Sequence, residues 1–156
     1  MRYYKIKSYA KINISLGILD KPKTKLHKIE SLISFINLHD EIFIKKINDK
    51  NHKIIFYGKF SKGIFKNNTI SNLLKLLEKK LSGQKFFIKI NKKIPSKSGM
   101  GGGSMNASSL LNFLIKNQKL NLSSKEIYKI SSKIGSDVII GLQKKTSILY
   151  GNGNIK

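Results

Sequence analysis

Asp and Glu total 8 in a chain of 156 residues, against 31 Lys and Arg, so each carboxylate can be weighed singly as a chemical group. Asp137 stands in the small-residue turn Gly135-Ser136-Asp137, ahead of apolar Val138-Ile139-Ile140. It reads either as a turn or helix-cap aspartate or as a general base, which takes a proton from a hydroxyl held within hydrogen-bond reach. Lys11 interrupts an alternating apolar strand between Ala10 and Ile12, and Asn13 shares its face. The pair either faces water or lines a cleft, where an ammonium would stabilise developing negative charge. His27, between Leu26 and Lys28, is either a hydrogen-bonding ligand contact or an exposed loop histidine.

A second cluster is made of backbone. In Pro95–Ser109, four glycines (Gly99, Gly101, Gly102 and Gly103) precede Ser104, and then a helical pattern begins. Glycine is the costliest residue to order, so such a cluster needs a reason, and close backbone approach to an anion supplies one. Ala107, Leu110, Leu111, Leu114 and Ile115 form one apolar stripe of a helix. Phe86–Ile90 reads as a strand before the loop. A strand, a glycine turn and a helix N-terminus together point N–H groups and a positive dipole end at phosphate. The spacing is neither a Walker A loop nor the dinucleotide fingerprint, and a flexible linker or a tight packing loop is the other reading. With no metal-ligand spacing among His, Asp and Glu and no cysteine, any Mg2+ is expected to arrive with nucleotide phosphates.

The elements that must position these groups follow from periodicity. Tyr3–Lys7 and Ala10–Leu19 read as strands. Short strand patterns cover residues 29–46 around a break at Asn37-Leu38-His39-Asp40. Residues 48–51 suit a hairpin connection to a strand at Lys53–Tyr57. Ile70, Leu73, Leu74, Leu77 and Leu81 mark a helix stopping at Ser82-Gly83. Another helix begins at Ser123 with a capping-box Glu126. Residues 138–140 are an apolar segment, Thr146–Tyr150 a strand, and residues 151–156 carry no closing element. Strands followed by paired helices suggest an α+β domain with a mixed sheet packed on helices.

The formal charge is +23, which favours polyanions by counterion release. Yet Arg2 is the only arginine and the lysines are scattered, whereas specific base or phosphate recognition enriches arginine. A solvated surface is the favoured reading, with no specific nucleic-acid partner. A non-enzymatic polyanion- or RNA-binding module is the alternative. The 40% hydrophobic content excludes a disordered tail. No apolar run suits a membrane span and the N-terminus lacks a secretory pattern, so a cytoplasmic protein without a membrane partner is expected.

Ala10-Lys11-Ile12-Asn13, Leu26-His27-Lys28-Ile29, Ile94-Pro95 with Gly99–Ala107, Gly135–Val138 and Gly151-Asn152-Gly153 stand in the order and spacing of motifs of one family. Through them the chain resembles the GHMP small-molecule kinases. It looks most like the branch that phosphorylates the 2-hydroxyl of 4-diphosphocytidyl-2-C-methyl-D-erythritol in non-mevalonate isoprenoid synthesis. The resemblance implies the GHMP-kinase N-terminal fold (ribosomal protein S5 domain 2-like), with ATP and Mg2+ as cofactors. It implies Asp137 as catalytic base, with Lys11 lowering the hydroxyl's pKa. Pro95, Gly99, Gly101, Gly102, Gly103 and Ser104 would bind ATP. Asn13 and His27 would contact substrate, the histidine at the cytosine. Two positions depart from the pattern: Leu26 replaces the usual aromatic residue, weakening base stacking, and Asn154 replaces an acidic residue. The resemblance also implies that residues 1–156 form the N-terminal ATP-binding domain, with the C-terminal domain absent. A separate C-terminal fragment is then an expected partner, and weak or no activity is expected of the short chain alone. An inactive kinase remnant is a further reading.

Overall fold

The computed structural model describes residues 3–20, 28–118, 120–151 and 154–155. Its elements run β1 (Tyr4–Asp20), β2 (Lys28–Ile47), β3 (Lys53–Tyr57), α1 (Thr69–Leu77), β4 (Lys85–Asn91), α2 (Gly102–Asn117), α3 (Ser124–Ile134), α4 (Asp137–Gln143), β5 (Ser147–Gly151) and β6 (Asn154–Ile155). The sheet order is β3-β4-β2-β5-β6, with β1 paired to β2. This is the expected α+β fold with a mixed sheet. Only β3 and β4 are parallel; the other pairings are antiparallel.

The 20-residue β2 organises the sheet. β1 follows one of its edges. The other edge is shared: β4 pairs with residues 41–47 and β5 with residues 29–33. Between these ladders, residues 34–40 of β2 face no strand on that edge among the described residues. The Asn37–Asp40 segment, expected to be a break, is continuous strand. The register steps from Tyr9↔His39 to Lys11↔Phe35, so its turn-forming residues are absorbed by a bulge. The same bulge joins the two expected N-terminal strands into one.

The core lies between the sheet and the helices. β4 alternates, with Phe86, Ile88 and Ile90 buried against Ile42 and Ile44 of β2. The buried face of α1 (Ile70, Leu73, Leu74, Leu77) and that of α2 (Ala107, Leu110, Leu111, Leu114) close over it. Each such large side chain contributes about 1.5–3 kcal/mol on burial. Asn68 caps α1 by accepting from the Ile70 and Ser71 amides, and Ser71 returns the bond. The helix is shorter than its periodicity. Its α-helical run stops at Leu77, and a turn carries Leu81 into the core before Ser82 (φ 48°) reverses the chain.

Two further expectations are corrected. Residues 48–51 do not close a hairpin, because β4 lies between β2 and β3. The apolar segment 138–140, for which no element is expected from the sequence, is part of helix α4, which buries Val138, Ile140 and Gly141. Asn154–Ile155 forms a short closing strand on β5. The Ser123–Glu126 capping box is present at α3. Among the described residues no helix is long and apolar enough to cross a membrane.

Candidate active site

The glycine segment joins β4 to α2. Gly99 (φ 74°) and Gly101 (φ 66°) occupy the left-handed region. Gly101 is the N-cap of α2, and its carbonyl accepts from the Met105 amide at 2.8 Å. The helix therefore starts on glycine backbone, with no side-chain cap. Ser104 lies in its first turn, not at its start. The amides of that turn are left free to bind an anion.

Close approach as well as φ demands glycine here. A Cβ on Gly101 would lie 3.1 Å from Lys11 Cγ and 3.3 Å from Asp137 Oδ2; one on Gly102 would lie 3.1 Å from Ile94 Cγ2. The loop backbone is thus packed directly against the two side chains singled out for chemistry.

Lys11 is brought there by β1. At the bulge its amide donates to the Met100 carbonyl at 3.1 Å, tying the strand to the loop. The side chain is buried, 7% of the residue remaining exposed. Its Nζ donates to Asn13 Oδ1 at 2.8 Å and lies 3.5 Å from Asp137 Oδ2. The Asn13 amide donates to Ser31 Oγ at 2.9 Å, and that hydroxyl donates to the Ser15 carbonyl at 2.7 Å. This chain of bonds fixes the Asn13 amide with its oxygen toward Lys11. Lys11 is therefore withdrawn from water, while Asn13 is tied to it by a hydrogen bond and remains exposed.

Asp137 is the first residue of α4. Ser136 holds the N-cap position without a side-chain cap bond, and the Asp137 carboxylate is turned to Lys11 instead. The apolar segment after Asp137 anchors it: with Val138 and Ile140 buried, α4 has one way to lie.

On the far side of the loop is a cavity of about 570 Å³. Pro95, Gly99, Gly101, Gly102, Gly103 and Ser104 line it, together with apolar Phe56, Ile64 and Phe65. The Thr69 hydroxyl, at the start of α1, donates to the Gly103 carbonyl at 2.8 Å and joins that helix to the loop. Lys11 and Asp137 lie across Gly101 from this cavity. The structure thus gathers every named candidate but His27, which lies outside the described residues together with Leu26.

Residues not foreseen as part of the site are Phe56, Ile64 and Phe65, and a buried ion pair beneath the loop, Asp40 with Lys92. Phe56 belongs to the expected strand, and Ile64 and Phe65 lie between that strand and α1. Asp40 was assigned to a break. Its signal was a carboxylate within a segment that is otherwise strand-forming. Beside it, Glu41 hydrogen-bonds Lys5 and Lys93, which hold its carboxyl down at about 2.

A strand feeding a left-handed glycine turn and an uncapped helix start is the architecture of a phosphate-binding α+β domain. The chain belongs to the GHMP kinase family: residues 68–150 match the GHMP kinases N terminal domain. It is 57% identical, over its full length, to 4-diphosphocytidyl-2-C-methyl-D-erythritol kinase of Pelagibacter ubique, covering 56% of that protein. It is 37% identical to the enzyme of the same name from Petrotoga mobilis, over 96% of this chain and 57% of that one. The chain therefore spans about half the length of these curated relatives. A crystal structure of 4-(cytidine 5'-diphospho)-2C-methyl-D-erythritol kinase superposes with a TM-score of 0.82 at 21% identity, covering 98% of this chain and 54% of that chain. That likeness establishes the fold.

Proposed function

We propose that the chain carries the ATP-binding and acid–base half of a small-molecule kinase, with 4-diphosphocytidyl-2-C-methyl-D-erythritol as the acceptor. The observation that carries this reading is the Lys11–Asp137 pair, 3.5 Å apart, packed against the glycine turn of a phosphate-type loop. The names of the 57% and 37% identical relatives support the choice of acceptor.

ATP would lie with its base against Phe56, Ile64 and Phe65. Its phosphates would meet the amides of Gly99 to Ser104, with Pro95 shaping the loop's entry. Asp137 takes the proton of the acceptor's 2-hydroxyl. That oxygen forms a bond to the γ-phosphorus as the bond to the β,γ-bridging oxygen breaks, and ADP leaves. Lys11 stabilises the charge that builds on the attacking oxygen, and Asn13 holds Lys11 in place while contacting substrate. His27 would contact the cytosine. Such a transfer needs positioning and charge stabilisation more than covalent participation. Among the described residues no cluster of three His, Cys, Asp or Glu could hold a metal alone. The Ser104 hydroxyl, which lines the cavity, is an oxygen donor of the kind that suits Mg2+ entering with ATP. Bound there, the ion would neutralise phosphate charge.

The test is transfer of label from γ-labelled ATP to the cytidine substrate, with the product identified by mass. Asp137→Asn should abolish it. Turnover that survives this substitution removes Asp137 from the mechanism, and a chain that does not bind ATP overturns the kinase reading itself.

A further inference from the structure

We propose that Asp40 is a positioning residue of the phosphate site, setting the glycine loop against α2 so that its amides meet the phosphates. This rests on reading the loop as a nucleotide-phosphate site.

Asp40 is fully buried. Its carboxylate accepts from four donors, which is the full capacity of the group. Oδ1 takes the amides of Lys93 (2.7 Å) and Ile94 (2.9 Å). Oδ2 takes the Asn106 side-chain amide (3.0 Å) and the Lys92 ammonium. These donors come from two stretches that border the cavity: the exit of β4, which leads into Pro95 and the loop, and the second turn of α2. One carboxylate therefore fixes where the glycine segment begins and where the helix it feeds is held.

The sheet explains why a side chain does this. The β2–β4 ladder ends at Glu41↔Asn91. Past that point the Lys93 and Ile94 amides have no strand partner, and Asp40 supplies the acceptors. Lys92 balances the charge from directly behind the loop. Its Nζ lies 3.3 Å from where a Cβ of Gly102 would sit. Asn106 commits its amide to Asp40 while its buried Oδ1 finds no partner among the described residues. Buried ion pairs are often replaceable by apolar residues without loss of stability. An arrangement that buries a full charge pair and an open acceptor beneath a binding loop is better matched to setting geometry than to stability.

Calorimetric titration of the chain with ATP in Mg2+, and separately with adenosine, tests the assignment. Asp40→Asn keeps an acceptor for the two backbone amides and loses those for Asn106 and Lys92. It should weaken ATP binding by about tenfold or more while adenosine affinity changes by less than about twofold. Asn106→Leu keeps the Asp40–Lys92 pair and removes the open acceptor. It should stay folded by thermal melting, lower ATP affinity by about fivefold and spare adenosine. It decides the matter if Asp40→Asn does not fold. Equal losses for both ligands, or no loss, would make Asp40 a structural residue only and overturn the proposal. A wild-type chain that binds adenosine but gains nothing from the phosphates overturns the phosphate reading, and the role of Asp40 with it.

Discussion

The Lys11 ammonium and the Asp137 carboxylate stand 3.5 Å apart, one from the first strand and the other from the first turn of the last helix. Gly101 packs against both, and no side chain could occupy its place without displacing one of them. The glycine turn is therefore also what packs against the Lys11–Asp137 pair.

Asp137→Asn keeps the shape of the carboxylate and removes its ability to take a proton. In an assay of phosphoryl transfer it should abolish whatever turnover the chain supports, since loss of a general base costs about 10²–10⁴. ATP affinity, measured by titration, should change little, because Asp137 does not line the cavity proposed for ATP.

Gly101→Ala meets two obstacles, a φ of 66° and a contact of 3.1 Å to Lys11 Cγ. The expected stability loss is about 1–2 kcal/mol in chemical denaturation. Transfer activity should fall further than stability does, since the displaced atoms belong to Lys11 and Asp137.

Ser123→Ala provides a contrast. Ser123 accepts from the Glu126 amide in an exposed capping box remote from the cavity. Its removal should cost about 1 kcal/mol in unfolding free energy, with ATP affinity unchanged.

Stability should fall with acid because several groups share a sign: Glu41 and Glu126 are both held at about 2, Asp49 and Glu78 are lowered by lysine partners, and His52 is lowered by burial. Glu41 is held at about 2, from an ordinary value of 4.5, by its bonds to Lys5 and Lys93. The unfolded chain takes up that proton first, so the contribution is complete above 4.5 and drains away as pH falls toward 2. His52 is lowered from 6.5 mainly by burial, and its Nδ1 accepts the Phe86 amide at 3.1 Å. Its contribution is complete above 6.5 and is lost as pH falls toward its lower folded value. Urea midpoints measured across this range should rise with pH. Glu41→Gln should remove part of the acid limb and leave the share of Glu126, and His52→Gln should flatten the part just below 6.5.

Much of the site is local and was legible for that reason. A loop from Gly99 to Ser104 between a strand and an amphipathic helix announces itself through glycine cost and apolar periodicity, both of which act over a few residues. The Ser123–Glu126 box is legible on the same terms. The Asn37–Asp40 segment misled because turn-forming residues also build bulges, and only the β1 partner distinguishes the two. The segment 138–140 was ambiguous because three apolar residues do not fix a period. Phe56, Ile64 and Phe65 gave no signal, since an apolar wall is defined by what faces it.

The sequence alone determined the phosphate-type loop, the strand and helix that flank it, and the family. Those features rest on short-range preferences and on motif spacing along the chain. Only the tertiary structure decided that Lys11 meets Asp137, that Asn13 is held by Ser31, and that Asp40 lies beneath the loop. Each of these joins residues far apart in the chain. Such pairings are set by strand register and by how α2 closes over the sheet and α4 packs on α2, quantities that no single segment contains.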